Sequence, residues 1–217
     1  MSLPQPTREV TLCYVTDRKA LAGTAGEQIR LLLEKIESAA RAGVDWVQIR
    51  ERDLEGRILA ELVLEAIRRV PPGCRILVND RLDISYATGA GGVHWGEQSL
   101  PVADAKRFLR ERQAGAKFLV GASVHSVESA QTAERAGPDY VVFGPVFATP
   151  SKAGFGEPQG IERLADVCER TRLDVVAIGG ITLDNAGACV AAGAKGIAAI
   201  RLFQEAEDVK AVVQALK

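Results

Sequence analysis

Apolar residues along this chain recur in two rhythms. In stretches such as "EQIRLLLEKIESAARAG" and "AELVLEAIRRV" they fall at i, i+3, i+4 and i+7, the spacing of one helix face. Between such stretches lie short apolar runs bounded by glycine or polar residues, the signal of strands. The pattern predicts strands at 12–17, 45–50, 75–79, 92–95, 117–123, 140–145, 174–179 and 196–200. A phrase then repeats: "AARAGVDWVQI" at 39–49, "YATGAGGVHW" at 86–95, "AERAGPDYVVF" at 133–143 and "VAAGAKGIAAI" at 190–200. An alanine-rich helix end packs closely on a sheet, the glycine provides a left-handed C-cap, and a strand follows. Eight βα units with no linker between them imply an α/β fold, a closed (β/α)₈ TIM barrel in a single domain over 1–217, with a doubly wound open sheet as the alternative.

Composition narrows the functional classes. At 217 residues, 47% hydrophobic and 25% charged, the chain suits one sizeable core, and no apolar run is long enough to span a bilayer. A net charge of −1, with both signs interspersed, gives no basic field for nucleic acid. Small ligands are the expected partners, and a homo-oligomer is allowed. Cys13, Cys74, Cys168 and Cys189 show no C-x-x-C spacing, and "MSLPQPTREV" lacks the pattern of a signal peptide. Free thiols in a cytoplasmic protein are the expectation.

In a barrel of this kind the active site lies at the C-terminal strand ends, which here are polar: "QIRER", "VNDR", "HWGEQS", "SVHS", "GPVFATPSK", "GGIT" and "IRLF". Gly179 and Gly180 end strand seven where backbone N–H groups suit an anion, and together with the loop of Ile200 and Arg201 after strand eight they form the expected phosphate site. Two glycines making only a tight turn is the simpler reading. Arg50, Arg52 and Lys152 converge as cations suited to a diphosphate. Asp80, next to Asn79, is a candidate Mg²⁺ ligand, or else a helix N-cap or an ion pair with Arg81. His125 stands on the rim as a candidate general acid or base, with helix capping as its structural alternative. His94, between Val93 and Trp95, reads as structural.

The motifs "QIRER", "VNDR", "GVHWGEQS", "ASVHS", "GPVFATPSK" and "AIGGIT", in this order, resemble the thiamine-phosphate synthase superfamily over essentially the whole chain. That resemblance implies a (β/α)₈ barrel acting on a thiazole phosphate in thiamine biosynthesis. Its synthases join the thiazole to a pyrimidine diphosphate with loss of pyrophosphate and with Mg²⁺; its TenI-type branch includes thiazole tautomerases, which need no cofactor. It implies that Gln48, Arg50, Asn79 and Lys152 hold the pyrimidine diphosphate and that Asp80 is a magnesium ligand. Thr149 and Ser151 would lie beside the thiazole, with Gly180 and the strand-eight loop around its phosphate. Three positions depart from the synthase pattern. Ser99 replaces a second metal-binding Asp, Arg52 replaces a lysine, and Arg201 stands where serine is common. With Ser99 in place of a carboxylate, the tautomerase with His125 as proton carrier is the leading expectation. The synthase is the alternative, with Glu97 as a displaced carboxylate, and a non-catalytic thiazole or thiamine phosphate-binding barrel is a third. The segment "AGFGEP", with Gly154 and Gly156, is a candidate lid.

Overall fold

The computed structural model describes residues 10–96, 99–112, 117–149 and 157–217. Eight parallel strands close into a barrel in sequence order: β1 Thr11–Val15, β2 Trp46–Ile49, β3 Arg75–Asn79, β4 Gly92–Trp95, β5 Leu119–Val124, β6 Tyr140–Phe143, β7 Asp174–Ile178 and β8 Gly196–Ala199. Closure is direct, because β8 pairs with β1 with Leu12 opposite Ile197, and this excludes the open sheet. Most expected strands run one or two residues too far: Asp17, Arg50, Pro145, Gly179 and Ile200 have left the ladder. These residues turn toward the rim, where loops begin. The fifth strand starts later than its pattern suggested and extends to Val124.

Helices alternate with the strands: α1 Ala25–Ala42, α2 Gly56–Arg69, α3 Leu82–Thr88, α4 Val102–Glu111, α5 Val127–Ala136, α6 Gly160–Arg170, α7 Leu183–Ala191, the short α8 Arg201–Gln204 and α9 Val209–Leu216. The repeated Ala-then-Gly phrase does what its chemistry requires. Gly43, Gly89, Gly137 and Gly193 all take positive φ at helix ends, and the Gly43 N–H returns to the carbonyls of Ala39 and Ala40. None of the helices among the described residues is long and apolar enough to cross a membrane.

Strand alternation divides the apolar residues into layers. Outward residues such as Leu12, Val47, Ile76 and Ile197 form the large core between barrel and helices. Inward residues Cys13, Val15, Leu77, Tyr140, Val142, Val176 and Ala198 fill the barrel itself, with Trp46 packed on them. One step nearer the C-terminal rim the inward positions become polar, and Gln48, Asn79 and His94 are buried there. The barrel is therefore plugged by apolar side chains below and lined by hydrogen-bonding groups above.

Candidate active site

The polar layer floors a cavity of about 500 Å³ at the C-terminal end of the barrel. Its wall includes Gln48, Arg50, Arg52, Asn79, His94, Ser123, His125, Thr149, Gly179, Gly180, Ile200 and Arg201, drawn from every strand end from β2 to β8. Residues from separate loops thus meet only because the sheet closes.

On the β2–β4 side, hydrogen bonds run in one direction. Gln48 Nε2 donates to Asn79 Oδ1 at 3.1 Å, and Asn79 Nδ2 donates to Asp80 Oδ2 at 2.7 Å. Asp80 Oδ1 accepts the Gly96 N–H at 3.1 Å and the Ser99 hydroxyl, and Arg52 stands 3.6 Å from Oδ2. Burial raises the Asp80 pKa, yet Ser99, Gly96, Arg52 and Asn79 together hold it below the usual aspartate value. Asp80 is neither a cap nor a partner of Arg81: Arg81 occupies the N-cap position of α3 and forks onto Asp83 at 2.9 and 2.6 Å. Asp80 also takes φ of 60°, the one positive φ at a non-glycine residue among the described positions. Such a conformation costs free energy and is held here by the surrounding hydrogen bonds.

The arginines are positioned from below. Arg50 and Arg52 face the cavity while Glu51, between them, turns inward and is 4% exposed. Glu51 accepts from the Thr16 hydroxyl at 2.7 Å and from the Arg18 backbone and guanidinium at 3.1 and 3.0 Å. Arg18 then forks onto Asp53 at 2.7 Å to each oxygen, and Thr16 Oγ1 accepts the Arg50 N–H at 3.0 Å. Burial, with Arg52 nearby, lowers the Arg50 pKa, but a guanidinium stays charged at neutral pH.

The resemblance implies Mg²⁺ at this donor set. Among the described residues no group of three or more His, Cys, Asp or Glu side chains is placed to hold a metal. Mg²⁺, however, commonly takes one or two carboxylates and completes its shell with phosphate oxygens and water. The Asp80 carboxylate with the Ser99 hydroxyl on it fits as the protein share of such a site.

Across the cavity, His125 Nδ1 contacts the Gly144 carbonyl. A carbonyl can only accept, so Nδ1 carries the proton and Nε2 is the basic nitrogen of the neutral ring. His125 is not the cap of α5, because Ser126 fills that role through the Ser129 N–H at 3.1 Å. The loop after β6 is fastened to the end of β7 by Val146 N–H to Ile178 O at 2.8 Å and Phe147 N–H to Gly179 O at 3.0 Å. Gly179 and Gly180 have φ of 101° and 62°, and a Cβ on Gly179 would lie 2.6 Å from Pro145 Cα. Both glycines are thus required by the close approach of two loops, beyond the needs of a turn.

The chain compares directly with known proteins. A family described as thiamine monophosphate synthase matches residues 12–203. The chain belongs to that family. It is 41% identical over 210 residues to a putative thiamine-phosphate synthase of Geobacter sulfurreducens, covering 96% of this chain and 93% of that one. It is 37% identical over 217 residues to the thiamine-phosphate synthase of Roseiflexus castenholzii, covering 99% and 90%. The thiamine phosphate pyrophosphorylase structure from Pyrococcus furiosus superposes with a TM-score of 0.80 at 30% identity, covering 96% and 94%.

Among the departures from the thiamine-phosphate synthase pattern, Arg201 does not close the cavity: it lines the wall and donates from Nη2 to Thr149 Oγ1 at 3.3 Å, linking the loops after β8 and β6. Ser99 keeps an oxygen directly on Asp80. Ser151, Lys152, Glu97 and the lid glycines Gly154 and Gly156 lie outside the described residues. Two cavity groups escaped the sequence reading. His94 lines the wall, and the signal was the alternation of "GVHW": Val93 and Trp95 pack outward with Ala105 and Leu109, which turns His94 inward. Ser123 lies at the matching inward position of β5 and was passed over as part of an apolar strand.

Proposed function

We propose that the protein is a thiamine-phosphate synthase, joining a pyrimidine diphosphate to a thiazole phosphate with release of pyrophosphate. The observation that carries this reading is the convergence of Gln48, Asn79, Asp80, Arg50 and Arg52 at the β2–β3 rim. Such an assembly of amide donors, two guanidiniums and a carboxylate suits a diphosphate, and proton shuffling on a thiazole alone would not require it. The naming of relatives at 37–41% identity supports the same choice over the tautomerase that Ser99 had suggested.

In this reading Gln48, Asn79 and Arg50 orient the diphosphate so that charge growing on it, as its bond to the pyrimidine carrier breaks, meets fixed donors. Arg52 adds a planar cation at the mouth, and Lys152 is assigned to the same group. Asp80 and Ser99 would hold Mg²⁺, which when bound would neutralise charge on the departing diphosphate. Backbone groups of Gly179 and Gly180, with the loop of Ile200 and Arg201, take the thiazole phosphate, Thr149 borders the ring, and Ser151 is assigned to the same group by the resemblance. The substrates then lie side by side in one cavity, the arrangement by which positioning lowers a two-substrate barrier.

The test supplies thiazole phosphate, pyrimidine diphosphate and Mg²⁺ and follows thiamine phosphate by fluorescence after oxidation. Product that disappears with chelator and falls about 10²-fold or more in Asn79→Ala with Arg50→Ala supports the reading. One observation favours a second reading: His125 has its tautomer fixed with Nε2 basic in the same cavity, as a thiazole tautomerase requires. No thiamine phosphate, together with His125-dependent isomerisation of carboxythiazole phosphate, would replace the first reading by the second.

A further inference from the structure

At the floor of the cavity three side chains from three strands form a chain of hydrogen bonds. The Tyr140 hydroxyl lies 3.2 Å from His94 Nδ1, and His94 Nε2 lies 2.9 Å from Ser123 Oγ. Tyr140 is 2% exposed and is held between the Trp46 ring, 4.7 Å away, and the His94 ring, 5.7 Å away and stacked. It reaches this place because β5 has glycine opposite it: Gly121 pairs with Tyr140, and a Cβ there would coincide with the phenol ring. His94 and Ser123 line the cavity, whereas Tyr140 does not.

Proton counting gives this chain a direction. Among the described residues His94 is the hydrogen-bond partner of the Tyr140 hydroxyl. Were His94 to donate from Nδ1, the phenolic proton would be buried with no acceptor, the costly outcome for an interior donor. A doubly protonated ring leaves the same orphan. With Tyr140 donating, Nδ1 accepts, Nε2 carries the ring proton and gives it to Ser123 Oγ, and every interior donor is matched. The Ser123 hydroxyl has then received a hydrogen bond from behind, so its own proton turns into the cavity.

We infer that Tyr140 and His94 act as positioning residues that fix Ser123 as a hydrogen-bond donor toward an acceptor atom of the bound substrate. The site thereby discriminates against a substrate group that would need to donate at this point, and the discrimination originates in a phenol the substrate does not touch. The relay stands on geometry alone; only its kinetic consequence rests on the proposed synthase reaction.

The direct test is nitrogen NMR of the full chain labelled at histidine. The chain has two histidines, so the spectrum of a His125→Gln variant assigns His94. The expected result is a protonated Nε2 and an unprotonated Nδ1 at neutral pH; a protonated Nδ1, or an averaged pair of shifts, would overturn the inference. In the synthase assay, Ser123→Ala is expected to lower kcat/KM by ~10- to 100-fold and Tyr140→Phe by about tenfold. Tyr140→Phe should add nothing in the Ser123→Ala background, since both changes remove the same donated proton. Independent, multiplicative losses would show that Tyr140 acts by another route. Should Tyr140→Phe fail to fold, the spectrum of the unsubstituted protein decides the matter. Absence of any synthase turnover, with Nε2 protonated, would reject the reaction while leaving the relay in place.

Discussion

At the scale of single residues, the pair Asp80 and Ser99 concentrates the chemistry. The Ser99 oxygen is on Asp80 Oδ1 and also accepts the Gly96 N–H at 2.8 Å, so two hydrogen bonds fix it beside the carboxylate. Ser99→Asp would bring two carboxylates into contact. Without a divalent ion the expected effect is destabilisation on the order of 1–3 kcal/mol, from like charges at a partly exposed site. With Mg²⁺ and pyrophosphate the sign reverses, because a second carboxylate replaces a neutral oxygen at the cation. Thermal melts of both proteins, with and without Mg²⁺ and pyrophosphate, read the crossing directly. No gain in the variant's melting temperature on adding the pair would mean that these oxygens do not share a metal.

At the scale of elements, the loop after β7 works because two backbones approach closely. Gly180 has φ of 62°, and a Cβ there would lie 2.8 Å from Phe147 Cβ, on the loop fastened to β7 by its own hydrogen bonds. Gly180→Ala therefore combines the cost of a left-handed alanine, about 1 kcal/mol, with displacement of the β6 loop. The expected outcome is a rise in KM for thiazole phosphate larger than any fall in kcat, with a loss of roughly 1–3 kcal/mol of stability by urea titration. An unchanged KM would remove this loop from the phosphate site. The arginine-bearing loop after β2 is built on the opposite principle. Its shape is set by Glu51 and Asp53 drawn onto Arg18, a network of charged hydrogen bonds rather than a conformationally permissive residue.

At the scale of the whole molecule, a polar layer inside a barrel makes stability depend on pH. Burial pushes the His94 imidazole down to about 4, with Asp80 opposing and Arg50 and Arg52 assisting. The unfolded chain accepts a proton near pH ~6.5 while the folded barrel does not, so this contribution is complete above ~6.5 and is lost as pH falls toward ~4. Its size is about 3 kcal/mol. Asp80 is displaced downward from its ordinary value, so its share is lost only below pH ~3.9, a separate window. Urea midpoints are expected to fall across the upper window, and His94→Gln should flatten that slope. A wild-type midpoint constant from pH ~6.5 to ~4 would contradict burial of a neutral imidazole.

The barrel was legible in the chain because its signals are local. Helical periodicity, short apolar strands and the glycine that follows four of the helices are fixed by neighbouring residues, and those four glycines adopt the left-handed conformation their setting demands. Strand ends were overrun by a residue or two for the same reason: Arg50 and Ile200 continue the composition of a strand, and only loss of ladder pairing ends it. The rim residues could be named from their place after each strand, and Gln48, Arg50, Asn79 and His125 do line one cavity. Sequence spacing could not pair them. That Asp80 faces Ser99 rather than Arg81, that Glu51 turns onto Arg18, and that His94 joins Tyr140 to Ser123 are relations between residues 19, 33 and up to 46 positions apart. Closure of the sheet decided them, because it brings side chains of distant strands, and of the loops that follow them, together at one end of the barrel, where most buried donors find an acceptor.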